Sequence, residues 1–145
     1  ILMTRLTADG GKGDYLAVPG RLEGGKALGS PFLKMDGRAV FREAVESLSS
    51  QAEAVLREAG VAASDIDLYV PHQANVRIMD AVASRIGVNP ASVVKTVFQH
   101  GNTCAASVPL ALDYAVKNGM ARRGDTVLLQ GVGAGMTCGT ALLIL

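Results

Sequence analysis

The chain has 145 residues and a mass of 15.0 kDa, with 49% apolar and 19% charged residues, which fits one folded domain and excludes a disordered chain. Fourteen basic and thirteen acidic residues leave a net charge of +1, which argues against a dedicated nucleic-acid binder. No apolar run reaches the roughly 18 residues of a transmembrane helix, and two cysteines cannot make a disulfide framework, so a reduced, cytoplasmic setting is expected.

The chain opens on Ile1, without a methionine or a basic leader, and already in strand-like sequence. It reads as a fragment of a longer protein. Residues 1–7 and 15–18 are expected as two strands joined by a turn-rich segment, 9–14. Residues 20–31 carry several glycines and no periodicity, and are expected as a surface loop. The period then changes. Phe41, Val45, Leu48, Ala52, Val55, Leu56 and Ala59 recur at spacings of three and four, with charged residues on much of the other face. This predicts an amphipathic helix ending at Gly60. A turn at 63–65 and a short strand at 66–70 follow. A second helix is expected over 75–86, closed by Gly87, and a buried strand over 93–98.

Residues 101–103 read as a sharp turn with capping residues, and 104–116 as a third helix. Cys104, Ala105, Ala106, Val108, Pro109, Leu110, Ala111, Leu112 and Ala115 make nearly all its faces apolar. A helix of that kind is buried on all sides. One sheet of this chain can cover only one side. A second layer is therefore expected from another chain or from the rest of this one. Two β-rich runs, 125–130 and 138–145, close the chain around a glycine loop at 131–136. The alternation predicts an α/β fold with a mixed sheet and a buried central helix.

Two strand-to-helix junctions carry the residues with chemistry. Ligands in α/β proteins bind outside the carboxyl ends of strands. His72 stands at the first junction, near a helix N-terminus that keeps imidazole neutral. Asn102 stands at the second and can donate an amide N–H. Taken alone, His72 could be a surface or capping histidine, and Asn102 a plain N-cap. Together they can reach one edge of the sheet, where two neutral donors aimed at one oxygen make an oxyanion hole for a thioester enolate. His100 is expected to be structural, because Gly101 turns the chain away after it. Cys104, at a helix N-terminus, would complete a Cys/His/Asn set, but it reads better as a small buried hydrophobe. Cys138 begins a core strand and is expected to be inert. The G-x-G-x-G run at 131–135 is no dinucleotide fingerprint, since a strand rather than a helix follows it. It suits either a close backbone approach to a ligand or an ordinary tight hairpin.

Tyr69-Val70-Pro71-His72-Gln73-Ala74-Asn75-Val76-Arg77-Ile78 and His100-Gly101-Asn102-Thr103-Cys104-Ala105-Ala106-Ser107-Val108-Pro109 resemble the C-terminal half of β-ketoacyl-[acyl-carrier-protein] synthase III. The run from Leu128 to Gly139 and Met35-Asp36-Gly37-Arg38-Ala39-Val40-Phe41 resemble the same family, so the likeness spans essentially the whole chain. The pairing is specific, because related thiolase-fold enzymes place His with His, or His with Cys. The resemblance implies a thiolase fold of two similar halves in αβαβα layers. It implies decarboxylative condensation of a short acyl-CoA with malonyl-[acyl-carrier-protein] to start fatty-acid synthesis. No cofactor or metal is implied beyond the substrates. The expected partners are the enzyme's own N-terminal half, the carrier protein, acyl-CoA and a second copy in a homodimer. Nucleic acid and membrane are not expected partners.

The resemblance also assigns residues. His72 and Asn102 hold the malonyl thioester carbonyl. The Ala134 backbone N–H serves the acyl oxyanion hole. Met35, Gly37, Phe41, Asn75, Arg77 and Val132 line the CoA or pantetheine channel. Arg42, Arg77 and Arg85 match the carrier-protein docking surface, although a solvated helix face explains them too. The nucleophilic cysteine belongs to the N-terminal half and matches neither Cys104 nor Cys138. Val132 stands where a larger residue is common, which leaves primer length open. Three other readings remain: a secondary-metabolism or quinolone-type synthase of the same fold, a non-catalytic half that binds carrier protein, and a self-contained Cys104 hydrolase.

Overall fold

The computed structural model describes all residues, Ile1–Leu145. The first strand-like run forms β1 (Met3–Ala8) and the second shrinks to β2 (Leu16–Ala17), with a 3-10 turn, Gly10–Tyr15, between them. They do not pair with each other: β1 pairs with the last strand of the chain and β2 with β5 (Lys34–Met35). The expected loop at 20–31 holds an exposed hairpin, β3 (Arg21–Glu23) and β4 (Lys26–Leu28). It turns at Gly24 and Gly25, both at positive φ (55° and 76°), the conformation that suits a two-residue hairpin turn.

The apolar stripe of the middle region becomes α1 (Gly37–Ala59), which starts one turn before Phe41. Asp36 sets that start, its carboxylate accepting the Arg38 and Ala39 backbone N–H groups. Gly60, in the left-handed region, ends the helix. After β6 (Leu68–Pro71) comes α2 (Val76–Ile86), capped by the Asn75 side chain on Arg77 N–H and closed by Gly87. The strand expected at 93–98 is absent. Val93 makes one isolated parallel bridge to Tyr69, and the chain then turns into a short helix, α3 (Val97–His100). The third long helix opens with a 3-10 turn, Cys104–Ala106, and continues as α4 (Ser107–Lys117). β7 (Thr126–Gly133) and β8 (Thr137–Ile144) form a hairpin. Gly131, Val132 and Gly133 thus belong to a strand, and the glycine loop is only the tip at 134–136.

The sheet order is β1-β8-β7-β6, with β6 parallel to β7 and the other pairs antiparallel, so the sheet is mixed. One face packs against α1 and α2 in a core that includes Leu48, Val55, Tyr69, Val82, Leu128 and Leu142. The other face packs against α4 through Leu68, Val70, Val127, Ala111 and Ala115. Along α4 only Ser107, Ala111 and Ala115 are buried, one stripe at i, i+4 and i+8. Leu110 and Val116 remain 39% and 52% exposed, so this chain covers one side of its most apolar helix. β1 is similarly open: Met3 packs toward the α1 side, while Leu6 is 83% exposed.

Candidate active site

His72 follows the last residue of β6. Its backbone N–H donates to the Gln130 carbonyl at 2.7 Å, which carries the β6–β7 ladder one residue past the strand. The ring is half-buried. Its Nδ1 lies 2.6 Å from the Ser107 hydroxyl, in the first turn of α4. Burial lowers the imidazole pKa below its ordinary value, which favours the neutral ring.

Gln73, next in the chain, is fully buried. Its Nε2 donates to Pro71 O (2.8 Å) and Val94 O (3.0 Å), and its Oε1 accepts Thr96 N–H (2.7 Å) and Val97 N–H (3.1 Å). This carboxamide therefore stands in for a strand partner beyond Val94, which explains why 93–98 leaves the sheet. Sequence reasoning gave Gln73 no role. It gave Ser107 none either, and no local signal links positions 35 residues apart.

Asn102 is exposed on the second junction. Its Oδ1 accepts the Cys104 backbone N–H at 2.9 Å. That is the turn-capping role, and it leaves the Nδ2 donor without a partner in this chain. His100 is exposed and ends α3 just before Gly101, at φ 65°. Cys104 is exposed, not buried as expected, and sits at a positive φ of 52°. No hydrogen bond joins its sulfur to His72, whose Nδ1 is engaged by Ser107 instead. Cys138 is buried, and burial pushes its thiol pKa up.

His72 and Asn102 line one cleft of about 300 Å³. Met35, Gly37, Phe41, Asn75 and Val132 line it too, with Leu16, Val40, Ile78 and Met136 completing a mainly apolar wall. His72 is its one titratable side chain, and neither cysteine reaches it. A mainly apolar cleft with a few polar groups converging on it is the usual form of a small-ligand site. Arg77 does not line it, but its guanidinium lies 5.8 Å from the centre of the Phe41 ring. Ala134 is exposed at the hairpin tip, beside the lining residue Gly133 but outside the lining itself. Arg42 and Arg85 line a separate groove along α1, together with Glu43 and Glu46. Arg85 forks onto Glu46 at 2.5 and 3.0 Å, which holds the Glu46 carboxyl below its ordinary range. Lys12 engages Glu43 at 2.6 Å. No helix is long and apolar enough to cross a membrane.

The family described as 3-oxoacyl-[acyl-carrier-protein (ACP)] synthase III, C terminal, matches residues 56–145. The whole chain superposes on the 3-oxoacyl-[acyl-carrier-protein] synthase III of Aquifex aeolicus VF5 with a TM-score of 0.91 and 36% identity, covering 44% of that chain. For the enzyme of the same name from Pseudomonas aeruginosa PAO1 the TM-score is 0.90 and the identity 39%, over 99% of this chain and 44% of that one. The priming β-ketosynthase of the R1128 polyketide pathway is similar as well: TM-score 0.84, 34% identity, 98% of this chain and 44% of that one. This chain thus spans less than half the length of the structures it matches. By its family match and its fold, it belongs to the 3-oxoacyl-[acyl-carrier-protein] synthase III C-terminal family of thiolase-fold condensing enzymes.

Proposed function

We propose that this chain is the C-terminal part of a condensing enzyme, and that His72 and Asn102 hold the thioester oxygen of a malonyl-[acyl-carrier-protein] substrate. The observation that carries this reading is the shared cleft: two neutral donors on an apolar wall, with no nucleophile among the lining residues. In the proposed step the malonyl carboxylate leaves as carbon dioxide. The electron pair of the broken C–C bond passes to the thioester, whose oxygen becomes an enolate. His72 Nε2–H and Asn102 Nδ2–H stabilise that charge. The enolate carbon then attacks an acyl thioester carried on a cysteine of the remainder of the enzyme, and that thiolate leaves. Met35, Gly37, Phe41, Asn75 and Val132 would guide the pantetheine or CoA arm. Arg77 and Arg42 would meet the acidic carrier protein, with Arg85 contributing less because Glu46 already neutralises it. Ala134 would add a backbone donor for the acyl oxygen once the other half closes over the hairpin tip.

A second reading keeps the chemistry and changes the pathway to polyketide or other secondary-metabolite priming. Val132, a cleft-lining residue that stands where the family resemblance implies a larger side chain, and the likeness to the R1128 priming synthase favour it. Carbon dioxide release from malonyl thioesters by the complete enzyme tests the common step. His72→Ala and Asn102→Ala should each reduce it roughly 100-fold or more, the scale of removing one oxyanion donor. Unchanged release in both would refute the assignment. Profiling acyl-CoA primers then separates the two pathways.

A further inference from the structure

Ser107 is 1% exposed, and its hydroxyl meets three groups. It lies 2.6 Å from His72 Nδ1, 2.9 Å from the Cys104 carbonyl and 3.3 Å from the Gln73 backbone nitrogen. Gln73 N–H can only donate, so it occupies one lone pair of Oγ. The single hydroxyl proton then has two possible acceptors, the Cys104 carbonyl and His72 Nδ1. If it points at Cys104, His72 must carry its proton on Nδ1, and Nε2 faces the cleft as a bare acceptor. If it points at Nδ1, His72 carries its proton on Nε2 and faces the cleft as a donor. The first arrangement repels an enolate oxygen, and the second binds it.

The Cys104 carbonyl can release the hydroxyl at little cost, because it also accepts the Ser107 backbone N–H. Nδ1 has no other partner in the chain and lies at the shorter distance. We propose that Ser107 is the positioning residue that fixes the His72 tautomer, donating its hydroxyl proton to Nδ1 so that Nε2–H faces the cleft. The inference rests on the donor role proposed for His72. The residue neighbouring a catalytic imidazole commonly sets which ring nitrogen holds the proton.

The test uses the complete enzyme, with ¹⁵N-labelled histidine, at a pH where His72 is neutral. Long-range ¹H–¹⁵N spectra of the wild type should show His72 protonated on Nε2. Ser107→Ala should shift the ring toward the Nδ1–H form and lower kcat for malonyl decarboxylation about 10- to 100-fold with KM little changed. Ser107→Thr, which keeps the hydroxyl, should restore the tautomer and most of kcat. A wild-type ring protonated on Nδ1 would overturn the proposal, and this measurement holds even if Ser107→Ala fails to fold. So would a folded Ser107→Ala enzyme with the wild-type tautomer and kcat. An Nε2–H ring in an enzyme that releases no carbon dioxide would leave the Ser107 assignment standing and refute the donor role instead.

Discussion

His72 and Asn102 reach one cleft from junctions that are held in different ways. At the first junction, the backbone of His72 is tied to Gln130, its ring to Ser107, and the adjoining Gln73 side chain to four backbone groups. At the second, Asn102 is exposed and is held through one side-chain bond to Cys104 N–H. Its neighbour Thr103 has a buried hydroxyl with no partner. The first side chain is thus held by this chain's own core, whereas the second has an unpartnered Nδ2 and, beside it, one buried hydroxyl without a partner. An oxyanion site works when its donors are fixed before the charge appears. Asn102 keeps its free Nδ2 donor on an exposed turn, and α4 separately leaves Leu110 and Val116 uncovered.

The first junction depends most heavily on Gln73. Gln73→Leu would leave one buried and one part-buried N–H group and two carbonyls short of a partner, at about 1–3 kcal/mol for each buried group. A loss of at least ~3 kcal/mol in the urea unfolding of the complete enzyme is expected, and a loss below about 1 kcal/mol would show that the clamp does not hold the junction. Next is Asn102→Asp. It keeps the acceptor for Cys104 N–H but removes the Nδ2 donor and places a negative charge beside the enolate. Decarboxylation should fall roughly 100-fold while stability stays nearly unchanged. A large stability loss with a normal rate would mean that Asn102 only caps the turn.

Thr103→Val should change stability by less than about 1 kcal/mol, because the hydroxyl it removes has no partner here. A larger cost in the complete enzyme would reveal a partner supplied by the other half. The smallest effect concerns pH. Burial lowers the His72 pKa in the folded state, so the unfolded chain takes up the proton first as pH falls. The associated stability is therefore intact above the unfolded value of about 6.5 and is lost as pH drops from there toward the folded pKa. An NMR titration of His72 with a midpoint above about 6.5 would contradict the burial argument.

Much of this architecture was legible from pattern. The stripes of α1 and α2 and their glycine stops follow from period and capping, although Asp36 moved the start of α1 one turn earlier. The two junctions also follow, since a strand ending at Pro71 and a turn at Gly101 are local signals. Where a long-range contact overrode local preference, reading failed. The apolar run at 93–98 has strand composition, yet Gln73, more than 20 residues away, draws Thr96 and Val97 out of the sheet. The β3–β4 hairpin is a different case. Gly24-Gly25 between two short runs is a recognisable two-residue turn, but the surrounding glycines and exposed side chains masked it. Ser107 was invisible for a third reason. Its role depends on where one hydroxyl proton points, and no spacing encodes that.

The proposed chemistry requires that His72 and Asn102 hold one oxygen between them. The most direct measurement is a crystal structure of the complete enzyme with a non-decarboxylating malonyl thioester analogue. The thioester oxygen should lie within about 3.2 Å of both His72 Nε2 and Asn102 Nδ2. An analogue bound in the cleft with its thioester oxygen beyond hydrogen-bond reach of either side chain would contradict it.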